Sequence, residues 1–98
     1  MSEEVQMLAL CRAKTGLEAE TRSVLEAFVK TTRKEPGCIS YTLQVDADRP
    51  TDFWFIERWA NQAAIDAHLA NEATASLVAD LAELLAEPAT LISLKNLT

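Results

Sequence analysis

The stretch Asp52-Phe53-Trp54-Phe55-Ile56-Glu57-Arg58-Trp59 decides the fold. In an extended chain successive side chains point to opposite faces. One face of this stretch then carries Phe53, Phe55, Glu57 and Trp59, and the other carries Trp54 and Ile56. A strand with one side in water alternates apolar with polar residues. This one is apolar on both sides, which predicts a strand that needs a cover on each.

Working outward, Ala47–Thr51 with Asp48 and Pro50 reads as a turn. Before it, Cys38–Asp46 reads as a strand with Ile39, Tyr41, Leu43 and Val45 on one face, so the two strands form an antiparallel hairpin. Glu35-Pro36-Gly37 is a stop signal, because proline cannot continue a helix and glycine permits a turn. The helix it ends runs from about Leu17 to Lys34. Leu17, Val24, Leu25, Phe28 and Val29 share one face, and Thr21 and Thr32 continue that stripe. Glu18, Glu20 and Glu26 precede Lys30, Arg33 and Lys34, an order that suits the helix dipole. Gly16 ends the link from a first strand, Val5–Ala13, with Val5, Met7, Ala9 and Cys11 on one side and Gln6, Leu8, Leu10 and Arg12 on the other.

On the far side of the deciding strand, Asn61 is a good N-cap for a helix to about Ala70. A second helical stretch follows, with Thr74, Leu77, Val78, Leu81, Leu84 and Leu85 at helical spacing. Pro88 breaks it, and Ala89–Leu97 reads as a last strand. The order βαββααβ predicts an α+β, ferredoxin-like domain spanning 1–98, a four-stranded antiparallel sheet with its helices on one face. Leu8, Leu10, Trp54 and Ile56 would then form an uncovered apolar face. A second copy packed sheet to sheet is the simplest cover, so a homodimer is expected.

The 98 residues carry 15 Asp+Glu against 9 Lys+Arg, a net charge of −6. That balance argues against nucleic-acid partners and disfavours strongly anionic ligands. The start, Met1-Ser2-Glu3-Glu4, lacks the basic and apolar regions of a signal peptide, and no apolar run approaches a membrane span. A cytoplasmic location with reduced Cys11 and Cys38 is the expectation. A disulfide between them is not expected, since an intervening strand should separate strands one and two. One histidine and two scattered cysteines do not suggest a metal site, and no glycine-rich phosphate loop suggests a nucleotide cofactor.

Three segments carry a family resemblance: Thr32-Arg33-Lys34-Glu35-Pro36-Gly37-Cys38-Ile39-Ser40-Tyr41, then Phe53 to Trp59, then Ala64-Ile65-Asp66-Ala67-His68-Leu69. In this order and spacing they resemble the antibiotic biosynthesis monooxygenase family, over nearly the whole chain. The resemblance implies a dimeric α/β barrel with a pocket in each subunit between sheet and helices. It implies oxygenation of a quinol, anthrone or similar electron-rich aromatic by dioxygen without a cofactor. The family also holds haem-degrading enzymes, a sugar-phosphate isomerase and members of unknown activity, so a non-catalytic ligand-binding or stress-associated module and an isomerase remain as alternatives. Haem-degrading relatives place Asn near the end of strand one, where this chain has Cys11-Arg12. Many relatives carry a second histidine five residues after the first, and here that position is Ala73.

His68 matches a family histidine and should face the sheet from its helix, and imidazole is the natural acid–base group near neutral pH. Trp59 matches a family pocket wall whose indole N–H can donate to an oxygenated substrate, or it is plain core. Glu57, on the same face, needs a partner if it points inward, with Arg12, Arg58 or backbone donors as candidates. Tyr41 and Arg58 are further polar candidates for the substrate, and Cys11 is a pocket-wall or core residue.

Overall fold

The computed structural model describes residues 4–98; the acidic lead Met1-Ser2-Glu3 lies outside the described residues. The elements are β1 (Val5–Arg12), α1 (Glu18–Thr32), β2 (Cys38–Val45), β3 (Asp52–Trp59), α2 (Gln62–Ala70), α3 (Glu72–Leu84) and β4 (Thr90–Leu94). The sheet runs β2-β3-β1-β4 with every pairing antiparallel. The ferredoxin-like α+β arrangement is therefore the one the element order predicts. The deciding strand, β3, is central. It also separates β1 from β2, and Cys11 and Cys38 are free thiols.

The helices cover one face of the sheet. Met7, Ala9 and Cys11 from β1 and Phe53, Phe55 and Trp59 from β3 meet Leu25, Phe28 and Val29 of α1, Ile65 of α2 and Leu77 and Leu81 of α3. Each large apolar side chain buried here contributes about 1.5–3 kcal/mol. Thr21 and Thr32 lie in this stripe, fully buried. Thr21 donates its hydroxyl to the Leu17 carbonyl at 2.8 Å, whereas the Thr32 hydroxyl has no partner among the described residues. At one end of the β1–β3 pair, Arg12 grips the buried Asp52 carboxylate with two bonds of 2.9 and 3.2 Å. That guanidinium holds the Asp52 carboxyl below the usual carboxylate range. The Asp46 side chain accepts the Asp48 and Arg49 N–H groups, which closes the β2–β3 turn.

Two expectations need correction. Ile39 does not share the Tyr41 face. A bulge between Cys38 and Ser40 pairs Cys38 with Trp59 and Ser40 with Arg58, so Cys38 packs on the core and Ile39 is 48 % exposed. One extra residue in a strand reverses the alternation beyond it. The last strand is shorter than Ala89–Leu97, and its side chains are exposed along its whole length. The α1 bounds lie within two residues of the expected ones, and Asn71 caps α3 by accepting the Thr74 N–H at 2.8 Å.

On the outer face the registers place Thr42, Ile56, Leu8 and Ile92 in one row across all four strands, beside Trp54 and Leu10. Among the described residues no helix is long and apolar enough to cross a membrane.

Candidate functional site

The Asn61 side chain accepts the Ala64 N–H at 2.9 Å and starts α2. The helix then buries Ile65 and His68, three residues apart on one face. His68 is 3 % exposed and sits among aromatic rings, with centroids 4.7 Å from Trp59, 5.6 Å from Phe28 and 5.7 Å from Tyr41. Its Nδ1 lies 3.0 Å from both oxygens of Glu35, and Asn71 donates to Glu35 Oε1 at 3.1 Å. A carboxylate only accepts, so Nδ1 carries the hydrogen and Nε2 of the neutral ring keeps its lone pair. No described residue bonds Nε2. The imidazole is thus fixed in one tautomer and one orientation by Glu35, which is itself held by the residue that caps α3.

Four of the six sequence candidates line a single cavity of about 250 Å³: His68, Glu57, Tyr41 and Cys11. Its other walls are mostly apolar and come from β1, α1, β3, α3 and the segment 88–91. Neither lysine nor arginine lines it. A larger hollow of about 520 Å³ lies between α3 and residues 85–89, but its lining has no histidine, cysteine or tyrosine. An apolar pocket with a few converging titratable groups is the better site, although it is the smaller of the two.

Trp59 does not line the cavity as expected. It is fully buried behind His68 and Glu57, and its Nε1–H donates to Glu57 Oε1 at 2.8 Å. An inward indole and an inward carboxyl two residues apart on one strand face satisfy each other, so that N–H is not available to a substrate. The same bond gives Glu57 its partner, in place of Arg12 or Arg58. Arg58 points to the opposite face of the sheet and forks Glu4 with two bonds of 2.7 Å, so the structure does not bring it to the cavity. Strand alternation separates it from Glu57 and Trp59 on either side.

The electrostatics follow from the burial. Glu57 is 3 % exposed, and desolvation with a contribution from Glu35 pushes its carboxyl up to about 7 despite the Trp59 bond. Desolvation, with Glu57 next, raises the Cys11 thiol to about 11, which makes it an unreactive wall. The Tyr41 phenol is raised by the same two causes and stays protonated. Its hydroxyl bonds no described residue. Glu35 and Asn71 escape the sequence reading, because their 33- and 36-residue separations from His68 and Glu35 leave no spacing signal. The one available cue is general: a buried histidine needs a partner for its second nitrogen.

The model for the antibiotic biosynthesis monooxygenase family matches residues 5–88. Rv0793 of Mycobacterium tuberculosis, whose given name is that of a candidate monooxygenase, is 30% identical over 88 residues, 90% of this chain and 86% of its own length. Its solved structure superposes with a TM-score of 0.90 at 28% identity, covering 97% of this chain and 96% of that one. An uncharacterized Synechocystis protein is 35% identical over 78 residues, 80% of this chain. The chain spans about half (53%) of that relative's length. The structure of PA3566 from Pseudomonas aeruginosa gives a TM-score of 0.91 at 28% identity, covering 100% of this chain and 98% of that one.

Proposed function

Because the chain belongs to the antibiotic biosynthesis monooxygenase family, we propose that it is a cofactor-independent oxygenase of small quinol-like aromatics, working as a cytoplasmic homodimer with His68 as its base. The observation that carries this reading is the Glu35-oriented imidazole, buried in an apolar cavity with Nε2 left to accept a proton. An apolar cavity of about 150 Å³ takes one benzene. At about 250 Å³, one- and two-ring quinols fit better than a three-ring anthrone.

In this scheme His68 Nε2 takes the proton of a quinol hydroxyl. The electron-rich anion passes one electron to dioxygen, and the radical pair recombines with formation of a C–O bond. The resulting peroxide takes the proton back from His68 and becomes a ring hydroperoxide. The mostly apolar walls offer the anion no cation to pair with, which keeps its electron density available to dioxygen. The isomerase alternative is weakened by the cavity's lack of any cation to hold a phosphate.

Oxygen uptake above the buffer background, measured over a panel of reduced benzoquinols and naphthoquinols, tests the proposal. Turnover of at least one is expected. His68→Ala should then lower the rate by about 10²–10⁴, the range for a positioned general base, and leave the fold intact. No uptake across the panel, or a His68→Ala variant as active as wild type, returns the chain to the ligand-binding reading.

A further inference from the structure

Glu57 has no part in the scheme above, yet its setting is that of a reacting group. It is nearly fully buried and lines the cavity; one oxygen accepts the Trp59 indole, and no described residue bonds the other. The titratable groups around it are Cys11 from β1, Tyr41 and Cys38 from β2, Glu35 from the turn after α1, and His68 from α2. Into the same cavity α1 presents Phe28 and α3 presents Thr74, Leu77 and Leu81, all uncharged. No lysine or arginine balances the carboxylate, and both burial and Glu35 oppose its charge, so near neutral pH much of it holds a proton. A protonated carboxyl is a donor. Its O–H has no taker in the described protein, which leaves the contents of the cavity.

We propose that Glu57 is the acid of this site: as a neutral carboxylic acid it donates to a ligand oxygen in the cavity, and during oxygenation it lends the proton with which the leaving hydroxide departs as water. The second half rests on the oxygenase reading; the first does not. Breakdown of the ring hydroperoxide is the step that needs an acid. The O–O bond breaks, the oxygen-bearing carbon loses its C–H proton and becomes a carbonyl, and the departing hydroxide takes the Glu57 proton to leave as water. The Glu57 carboxylate then takes up the C–H proton and is restored. The sum is quinol plus dioxygen giving hydroxyquinone plus water, with both His68 and Glu57 regenerated.

Three measurements on the intact chain test this. The Trp59 indole N–H resonance of the wild type should shift with a midpoint near 7 as its carboxyl partner titrates; no movement between pH 5 and 9 overturns the proposal. The probe 1-indanone, a two-ring ketone whose oxygen only accepts, should bind wild type about tenfold more weakly at pH 8.5 than at pH 5.5. Glu57→Gln, whose amide donates at every pH, should bind it with less than a twofold change between the two pH values. Matching profiles for the two proteins, or no indanone binding by wild type, also overturn it. With a quinol that the wild type oxidises, Glu57→Gln should lose about 10²-fold in kcat with KM little changed; an unchanged kcat removes the proton-delivery half. If wild type consumes no oxygen, the oxygenase reading and proton delivery both fall, while the indanone and indole results still decide whether Glu57 is the cavity's donor.

Discussion

At the residue scale, Glu57 shows how a functional setting opposes stability. Its carboxyl sits near 7 when folded and at an ordinary carboxyl value, 4.5, when exposed. The folded state therefore holds the proton more tightly than the unfolded chain. Stability is fullest below pH 4.5 as far as this group is concerned, and it declines as pH rises through 7 by at most about 3 kcal/mol. Glu57→Gln removes the titration while an amide oxygen can still accept from Trp59. We expect urea unfolding at pH 5 and pH 8 to show the variant gaining on wild type at the higher pH. Parallel stability curves would contradict the buried, unbalanced carboxyl. His68 was legible in the sequence as an inward helix residue. Its orientation was not, since Glu35 reaches it only through the chain's path after α1.

At the element scale, α2 is positioned by a close approach. Gly37 has φ +83°, and a Cβ built on it would lie 2.6 Å from the Ala64 Cβ. The Gly37 carbonyl also accepts the Ala60 N–H at 2.8 Å, joining the start of β2 to the loop before α2. Gly16, at φ +94°, has open space around it. Gly16→Ala should thus cost only the left-handed backbone strain, about 1–2 kcal/mol. Gly37→Ala adds overpacking and should cost about 2–5 kcal/mol in all. Thermal unfolding of the two variants compares them directly, and equal losses would show that the contact with α2 is unimportant. The Glu35-Pro36-Gly37 stop was plain in the sequence, but the bulge beside it was not. Bulges arise from the fit between neighbouring strands, and the residues Cys38 and Ile39 read equally well in either register.

At the scale of the whole molecule, the outer sheet face stands open. Leu8, Leu10 and Trp54 are half-buried there, and Ile56 and Ile92 are 37 % and 40 % exposed. The proposed dimer would cover this row. Sedimentation at micromolar concentration should give about twice the 10.8 kDa chain mass. Ile56→Glu, in the middle of the row, should sediment as a monomer with an unchanged circular dichroism spectrum. A wild-type monomer, or an Ile56→Glu dimer, would mean that this face is not the interface.

Alternation and helical spacing act over a few residues, so the sequence by itself determined the element order, the central place of β3, the inward faces of β1, α1 and α2, and the family. The site is a matter of convergence between distant segments. The Glu35–His68 and Trp59–Glu57 bonds, the withdrawal of Trp59 behind the cavity and the departure of Arg58 to the other face were decided only in three dimensions. Burial forced each polar group to take the partner that packing placed within reach.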